Sequence, residues 1–347
     1  MTDEVPEPHP DALPFSRPTS SRAQLPQIGW YGLGAMGCAM VRKVALSTRS
    51  QNPASPPVLV YNRTVIKTEK LVEEVGASRV RIASSPAQLA TDCDIIFTNL
   101  ANDAVVSAVY REFANALEQN PPRKGKIFVD CSTIYPTLAG EIDHLLSRFQ
   151  QCRFVASPVV GPPNAAESGK LVIVMSGDYS SKKEAAYLLV PATGRKVIDA
   201  GGDVENAHRL KLLGNCMITG ANELLAEVQT LGDKSGVGAR VVQDLVREIM
   251  PAPSLLLFGE KMVNSRFGEV GYDIDGCIKV TQDMRRLSAE YGSPMPVIDL
   301  AHQRLLTARS LHEAQKLAGT NKWDVIDWSA MIAGSRVAAG LDPFGAE

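Results

Sequence analysis

The chain has 347 residues, of which 45% are hydrophobic and 21% charged, with a formal net charge of −2 at pH 7. This length favours two domains, the composition is typical of a globular protein, and the small net charge argues against nucleic acid as a partner. No apolar run reaches the roughly 18 residues of a membrane span, and the N-terminus lacks the features of a signal or transit peptide, so we expect no membrane partner and a cytoplasmic location.

The cysteines and histidines form no pattern typical of metal binding. Six cysteines are scattered without a CxxC pair, which indicates reduced thiols in a core rather than a disulfide framework. The five histidines show no spacing of i and i+4. We therefore predict no metal site.

Residues 1–24 are rich in acidic residues and prolines and show little apolar periodicity. Such a segment buries too little apolar surface to offset the entropy lost on ordering. We predict a disordered tail.

From residue 25 to residue 199, short apolar runs alternate with helical stretches. Strands are predicted at 28–31, 58–61, 79–82, 95–99, 127–130, 154–156 and 171–176, with helices such as 36–45, 65–75, 103–117 and 138–148 between them. A polar insertion, residues 47–57, is predicted to be a surface loop. The alternation indicates an α/β, Rossmann-like domain with a parallel sheet covered on both faces.

The sequence GLGAMG follows the first predicted strand and opens a helix. In a dinucleotide-binding turn, Gly32 would permit the tight bend, Gly34 would let the backbone approach a pyrophosphate, and Gly37 would let the helix pack on its strand. Free amides at the helix start would hold the diphosphate. The alternative is a glycine turn without a ligand. The cofactor-binding residues predicted here are Gly32, Leu33, Gly34, Ala35, Met36 and Gly37.

The second predicted strand ends in Asn62, Arg63 and Thr64, with Lys67 one turn later. An NAD site typically has an acidic residue here for the ribose 2′-hydroxyl, whereas an arginine matches the oxygens of a 2′-phosphate. The sequence therefore predicts NADP (NADPH when reduced) as the cofactor, bound by these four residues. The alternative is that Arg63 and Lys67 only solvate the start of a helix.

After residue 200 the pattern changes to long amphipathic stretches separated by turn signals. Helices are predicted at 206–231, 240–248, 253–262, 274–291 and 296–308, and strand candidates are absent. Residues 200–347 are therefore predicted to form an all-α C-terminal domain that borders the substrate cleft.

The first of these helices places Lys211 and Asn215 on one face, within an apolar run. Burial lowers the pKa of an ammonium group, so this lysine could exchange the proton that carbonyl reduction requires, with Asn215 orienting it. The alternative is a lysine that extends to solvent at a domain boundary. We interpret His208, about one turn earlier, as a polar neighbour rather than a catalytic group.

Five segments in chain order resemble motifs of the β-hydroxyacid dehydrogenase family, relatives of 3-hydroxyisobutyrate dehydrogenase and of glyoxylate/succinic semialdehyde reductases. They are IGWYGLGAMGCAM (28–40), YNRT (61–64), DCSTIYP (130–136), SPVVGPPNAAESGKLVIVMSGD (157–178) and KLLGN (211–215). The resemblance implies an NAD(P)-dependent enzyme that transfers hydride to or from a small aldehyde, ketone or hydroxy acid.

The resemblance also implies residue roles. Lys211 would be the catalytic acid/base and Asn215 its support, while Ser132 and Thr133 would lie beside the nicotinamide and the substrate. The implied additional cofactor contacts are Asn99, Leu100, Ala101 and Lys279. A homodimer through the helical domain is implied as well.

The match at Lys279 is incomplete. The aspartate that usually follows the family's late lysine is Val280 here, with Asp283 nearby, and an alternative register places Gln282 at the lysine position. The lysine that closes over the cofactor is therefore predicted in two registers.

The substrate motif departs from the family pattern at Val160, Gly161 and Pro162, which are the predicted substrate-binding residues of this loop. Relatives bind a carboxylate there with a serine hydroxyl and glycine amides, but valine has no hydroxyl and proline has no N–H. Ser157 also replaces the usual aspartate. A less acidic or more apolar carbonyl substrate is thus favoured. The alternative is a stiffened loop that still binds carboxylates through Gly161 and neighbouring amides.

Two other functions remain open at this point. An imine reductase has similar architecture, although Lys211 argues against it because those enzymes usually carry another residue there. A non-catalytic NADP-binding scaffold would be expected to lose the lysine, which this chain retains.

Overall fold

The computed structural model describes residues 12–16 and 25–345, with residues 49–51 described by their backbone alone. The chain divides into two compact units, Met1–Lys211 and Leu212–Glu347. The boundary lies later than the predicted one between residues 199 and 200. The reason is that Ser176, in the sheet, donates to Val204 O at 2.8 Å and accepts from the Ala207 amide at 3.0 Å, which holds the start of the long helix on the first unit.

The first unit alternates strands and helices over most of its length. In chain order they are β1 (Ile28–Tyr31), α1 (Ala35–Gln51), β2 (Val58–Tyr61), α2 (Val65–Val75), β3 (Val80–Ile82), α3 (Pro86–Asp92), β4 (Ile95–Thr98), α4 (Asp103–Gln119), β5 (Lys126–Asp130), α5 (Pro136–Ser147), β6 (Cys152–Ala156), β7 (Val159–Val160), α6 (Pro163–Glu167), β8 (Leu171–Gly177), α7 (Tyr179–Leu189) and β9 (Gly194–Asp199).

The strands form one sheet in the order β3-β2-β1-β4-β5-β6-β8-β7, with β9 on β8. The six strands from β3 to β6 are parallel, β8 runs antiparallel to β6 and β7, and β9 is parallel to β8. The predicted Rossmann-like α/β class is confirmed. Strands β7 and β9 were not predicted, because β7 has two residues and β9 alternates with too many charged residues to form an apolar run.

The sheet separates two apolar cores, and neighbouring residues of one strand contribute to opposite sides. Phe97 lies in the core under α1, α2 and α7, whereas Ile96 lies in the core under α3, α4 and α5. This alternation follows from the two-residue period of a strand. Helices therefore cover both faces, as expected for a parallel sheet.

The predicted disordered tail is wrong for residues 12–16. Ala12 and Phe15 are buried in the first core, Val197 N donates to Ala12 O at 2.8 Å, and the Phe15 ring meets Tyr179 edge-on at 5.6 Å. The buried Ala12 and Phe15 side chains, the Ala12 backbone bond and a bond from the Tyr187 hydroxyl to Phe15 O thus dock this short segment on the first unit. Residues 1–11 and 17–24 lie outside the described residues.

The predicted loop at 47–57 is wrong in its first part, because α1 continues to Gln51. The Thr48 hydroxyl donates to Val44 O at 2.7 Å, and the Asn52 amide closes the helix on Thr48 O at 3.0 Å. The polar residues after the apolar pattern thus continue the helix instead of forming a loop.

The second unit is helical in its described part. Its elements are the greater part of α8 (Asn206–Lys234), then α9 (Ala239–Ile249), α10 (Pro253–Val263), α11 (Ile274–Glu290), α12 (Pro296–Ala318), a short 3-10 helix (Trp328–Met331) and α13 (Ile332–Ala338). Its own core gathers around Phe267, Trp328 and Leu305. The predicted all-α character of this part is confirmed.

Three expectations from composition can be compared with the described residues. Within these ranges, no helix is long and apolar enough to cross a membrane, and no cluster of His, Cys, Asp and Glu is arranged to hold a metal ion. All six cysteines are free thiols, and five of them are buried.

Candidate active site

The glycine turn lies where the strand order reverses between β1 and β4, at the carboxyl ends of the strands. Gly32 has φ +106°, and a Cβ there would lie 2.1 Å from Asn99 O. A Cβ on Gly37 would lie 2.1 Å from Gly32 O, whereas a Cβ on Gly34 would meet no atom within 4 Å. Two glycines are therefore required by the packing of the turn itself, and Gly34 leaves open space over the helix start.

The end of β2 is held against this turn by Asn62. Its Oδ1 accepts from the Leu33 amide at 2.9 Å, and its Nδ2 donates to Thr64 O at 3.0 Å. Arg63, Thr64 and Lys67 are exposed, and Arg63 forms no ion pair with any described residue. The Thr64 side chain does not cap α2. Exposed cationic groups and helix-start amides thus lie beside the glycine turn.

The loop after β4 is tied to β5 by a chain of hydrogen bonds. The Leu100 amide donates to Ser132 Oγ at 2.8 Å, and Ser132 Oγ donates to Asp130 Oδ1 at 2.7 Å. Thr98 Oγ1 donates to the same carboxylate oxygen at 2.6 Å. Ser132 is only 2% exposed, so its hydroxyl acts inside the protein, while Ala101 is exposed and Thr133 is half-buried.

Asp130 is a buried charged residue of the candidate site that the sequence alone did not single out, although it begins the DCSTIYP segment. Its side chain is fully buried, and burial raises its pKa to about 6 against the opposing effect of the hydrogen bonds from Thr98 and Ser132. Its second carboxylate oxygen has no hydrogen-bond partner among the described residues. A signal was available, since an aspartate that ends a buried strand needs local donors.

Lys211 lies near the start of α8, where its Nζ donates to Val159 O at 2.6 Å. The lysine is half-buried, and its charge is near enough to act on the Cys131 thiol. The structure therefore brings Lys211 to the loop after β6 and to the residue next to Ser132. These three segments therefore lie close together within the first unit.

His208 is 1% exposed, and neither ring nitrogen has a hydrogen-bond partner among the described residues. Burial, with a smaller effect of the Lys211 charge, lowers the pKa of His208 to about 3. The ring is therefore neutral at pH 7, and it is buried beside Lys211 without a described hydrogen bond.

The substrate loop follows β6 with an irregular backbone. Val160 ends the short β7 and is half-buried, whereas Gly161 has φ +133° and is exposed. Pro162 is also exposed and precedes Pro163, the first residue of α6. Ser157 is fully buried and contacts the Cys131 thiol.

Asn215 and Lys279 belong to the second unit. Asn215 is half-buried on α8, four positions after Lys211. Lys279 forms an ion pair with Asp283 at 3.6 Å on α11, where Val280 is buried and Gln282 is exposed. The roles of Asn215 and Lys279 and the register of the late lysine stay predictions.

The residues around the glycine turn fit a dinucleotide, because the space over Gly34 is open and the turn is otherwise closely packed. The strand order and this turn are those of a dinucleotide-binding domain. Residues 27–202 match the family model described as the NAD binding domain of 6-phosphogluconate dehydrogenase. The chain belongs to the β-hydroxyacid dehydrogenase family, whose enzymes act on CH–OH groups with NAD(P).

Individual relatives agree with this family. The chain is 30% identical over 312 residues to the NADH-dependent oxidoreductase ucdB of Aspergillus ustus, covering 89% of this chain and 98% of the relative. It is 29% identical over 293 residues to glyoxylate/succinic semialdehyde reductase 1 of Arabidopsis thaliana, covering 82% and 93%. Among solved structures, 3-hydroxyisobutyrate dehydrogenase of Mycobacterium tuberculosis with L-serine has a TM-score of 0.70 at 20% identity, covering 89% and 98%, and shares the fold.

Proposed function

We propose that the protein transfers hydride between NADP(H) and a small aldehyde or ketone, or the corresponding hydroxy compound, with Lys211 as general acid/base. The observation that carries the proposal is the bond from Lys211 Nζ to Val159 O at 2.6 Å. This hydrogen bond holds the Lys211 amine beside the substrate loop. Within the KLLGN segment, the lysine is the side chain that can act as an acid toward a carbonyl oxygen.

The chain's own residues supply the proton and the orientation. The nicotinamide, when bound, supplies the hydride in reduction and accepts it in oxidation. In reduction, Lys211 donates a proton to the oxygen as the carbonyl carbon becomes tetrahedral, and in oxidation the neutral amine takes it back. Asn215 donates a hydrogen bond to the same oxygen, and Thr133 helps to position the substrate.

For the cofactor we favour NADP over NAD. Arg63, Thr64 and Lys67 are exposed beside the glycine turn, and no acidic side chain ends β2. A guanidinium and an ammonium group attract a 2′-phosphate, and YNRT contains no carboxylate to accept a hydrogen bond from a ribose 2′-hydroxyl. Asn99, Leu100 and Ala101 are the further cofactor contacts that we propose in the first unit, and the role of Lys279 stays a prediction.

The role of Lys211 can be tested by Lys211→Gln, which keeps a donor for Val159 O but removes the acid. We expect kcat/KM for carbonyl reduction to fall about 10²–10⁴-fold. Lys196→Gln, an exposed lysine on β9, is the matched control and leaves the rate unchanged. An unaltered rate in Lys211→Gln would remove lysine from the mechanism.

The cofactor assignment can be tested by Arg63→Ala, with kcat/KM measured for NADPH and NADH. Loss of a charged hydrogen bond predicts a fall of about 10–100-fold with NADPH and less than about threefold with NADH. The control is Arg123→Ala. Arg123 is exposed and precedes the amino end of β5, whereas the glycine turn lies at the carboxyl ends of the strands. A native preference for NADH, the cofactor in the name of the Aspergillus relative, would contradict the NADP assignment.

A non-catalytic scaffold is the second class of function. It predicts cofactor binding without turnover of any carbonyl or imine. Retention of Lys211 and Asn215 on one helix face supports the enzyme instead.

We also propose that two copies pair through the helical unit. Helix α9 buries Gln243 and leaves Val241, Leu245 and Ile249 exposed at helical spacing. Exposed apolar side chains in a stripe along one helix face are typical of an interface. In α9 this stripe lies on the exposed face, whereas the polar Gln243 is buried. The family resemblance supports a second copy of this chain as the occupant.

A further inference from the structure

The wall of the candidate site beside Lys211 has few groups that could bind an anion. The contact of Lys211 with Val159 places the amine next to the segment 160–163. Val160 presents an apolar, half-buried side chain there, and neither Pro162 nor Pro163 has an N–H. An anionic group near the amine would receive no hydrogen bond from the side chains of Val160, Pro162 and Pro163. The two proline nitrogens cannot donate one either.

The hydroxyl of Ser132 is also committed within the protein. It donates its proton to Asp130 Oδ1 and accepts from the Leu100 amide, at 2.7 and 2.8 Å. A hydroxyl has one proton to donate. Binding a carboxylate with Ser132 would leave the buried Asp130 with one donor fewer, which is unfavourable for a charged group in a core.

The charges of this wall oppose an anion as well. Asp130 is fully buried two residues before Ser132, with one carboxylate oxygen that has no described partner. Its carboxyl, with a pKa of about 6, is mostly ionised at pH 7. His208, also near the start of α8, is neutral at pH 7. Lys211 is the cation that this part of the site supplies.

We propose that the substrate is a carbonyl compound without a carboxylate, an aldehyde or ketone whose apolar group packs against Val160. The inference rests on the proposed function and names the substrate class of the same site. In the reaction, the carbonyl carbon takes a hydride from the reduced cofactor and the oxygen takes a proton from Lys211. The C=O π bond is lost, and the products are an alcohol and the oxidised cofactor.

The experiment compares each acid with its uncharged methyl ester: glyoxylate with methyl glyoxylate, and 4-oxobutanoate with methyl 4-oxobutanoate. We expect kcat/KM for the ester to exceed that for the acid by at least about tenfold, because two missing donors to a charged group correspond to a factor of this size or more. A native enzyme that prefers the acids would overturn the proposal while leaving the proposed function intact, with the donors then supplied by other residues.

A gain of activity makes the test independent of loss by misfolding. Val160→Thr adds a hydroxyl at nearly constant volume, and Pro162→Ala restores an N–H at a φ of −76° that alanine adopts. The double variant should improve kcat/KM for the acids at least about tenfold, whereas Val160→Ile, which adds no donor, should not. An equal improvement in both variants would contradict the donor argument.

Binding separates failure of this proposal from failure of the proposed function. Calorimetry on the NADPH-loaded protein would compare 4-hydroxybutanamide with 4-hydroxybutanoate. Tighter binding of the amide supports the inference even if no carbonyl is turned over, in which case only the proposed reaction fails. Tighter binding of the carboxylate overturns the inference.

Discussion

His208 combines complete burial with two ring nitrogens that have no described hydrogen-bond partner. Burial lowers its pKa from 6.5 to about 3, so the fold favours the neutral ring. A group whose pKa is lower in the folded state than in the unfolded state stabilises the fold above the unfolded pKa. This contribution is lost as the pH falls from 6.5 towards 3.

The variant His208→Leu should therefore resist acid better than the native protein. At pH 4.5, relative to pH 7.5, we expect it to retain about 2–3 kcal/mol of the free energy of unfolding that the native protein loses through this residue. Urea denaturation at both pH values measures this difference. The raised pKa of Asp130 has the opposite effect, because it makes the fold more stable as the pH falls from 6 to 4. Both proteins contain Asp130, so its effect cancels in the comparison.

His144→Leu, at an exposed histidine on α5, is the control and should leave the acid sensitivity unchanged. Identical pH dependence of His208→Leu and the native protein would mean that the ring is protonated in the fold.

Ser132 shows how one residue can change role once its partners are known. The motif assigns it to the substrate, but its hydroxyl joins Asp130 to the Leu100 amide. Ser132→Ala should loosen the loop after β4 and raise the Kd for NADPH about 5–10-fold, in line with one lost hydrogen bond. Titration of nucleotide fluorescence measures the Kd, with Ser147→Ala on α5 as control. An unchanged Kd would place the loop's anchoring elsewhere.

At the scale of elements, the predictions succeeded where one residue pattern extends over a whole element. Helix α2 has its predicted bounds, because its apolar positions repeat at helical spacing up to Gly76, which ends it with φ +96°. Strand β9 was missed because residues such as Arg195 and Lys196 are exposed, and only pairing with β8 defines it as a strand. Such strands form because they hydrogen-bond to a strand that is distant in sequence. Their own residues show no pattern that would predict them.

The docked segment at residues 12–16 is the element-scale finding with the largest expected effect on stability. Phe15 is 4% exposed, contacts Tyr179 and lies with its ring centroid 5.9 Å from Lys182 Nζ. Phe15→Ala should lower the free energy of unfolding by about 2–4 kcal/mol, because the cavity lies at the edge of the core and part of it relaxes. Chemical denaturation measures the change.

Pro14→Ala, at the exposed neighbouring position, should change that free energy by less than about 0.5 kcal/mol. Equal stability of the two variants would show that the segment contributes nothing to the fold.

At the scale of the whole molecule, the exposed face of α9 leads to a prediction about assembly. Introducing two charges by Leu245→Glu with Ile249→Glu should convert a dimer into a monomer, since an interface cannot bury them without partners. Sedimentation equilibrium measures the mass. Leu317→Glu, at a residue that is 91% exposed on α12, should leave the mass unchanged. A native protein that sediments as a monomer at micromolar concentration would disprove the pairing.

The sequence alone determined the fold class, the helical C-terminal part and the position of the dinucleotide turn. These depend on local quantities, namely the period of apolar residues and the backbone freedom of Gly32 next to Asn99. Only the tertiary structure decided that residues 12–16 dock on the sheet, that the first unit extends to Lys211, and that the Ser132 hydroxyl is committed to Asp130. Each of these findings depends on contacts between residues that are far apart in the sequence. Burial and hydrogen bonding determine those contacts, and the local sequence does not reveal them.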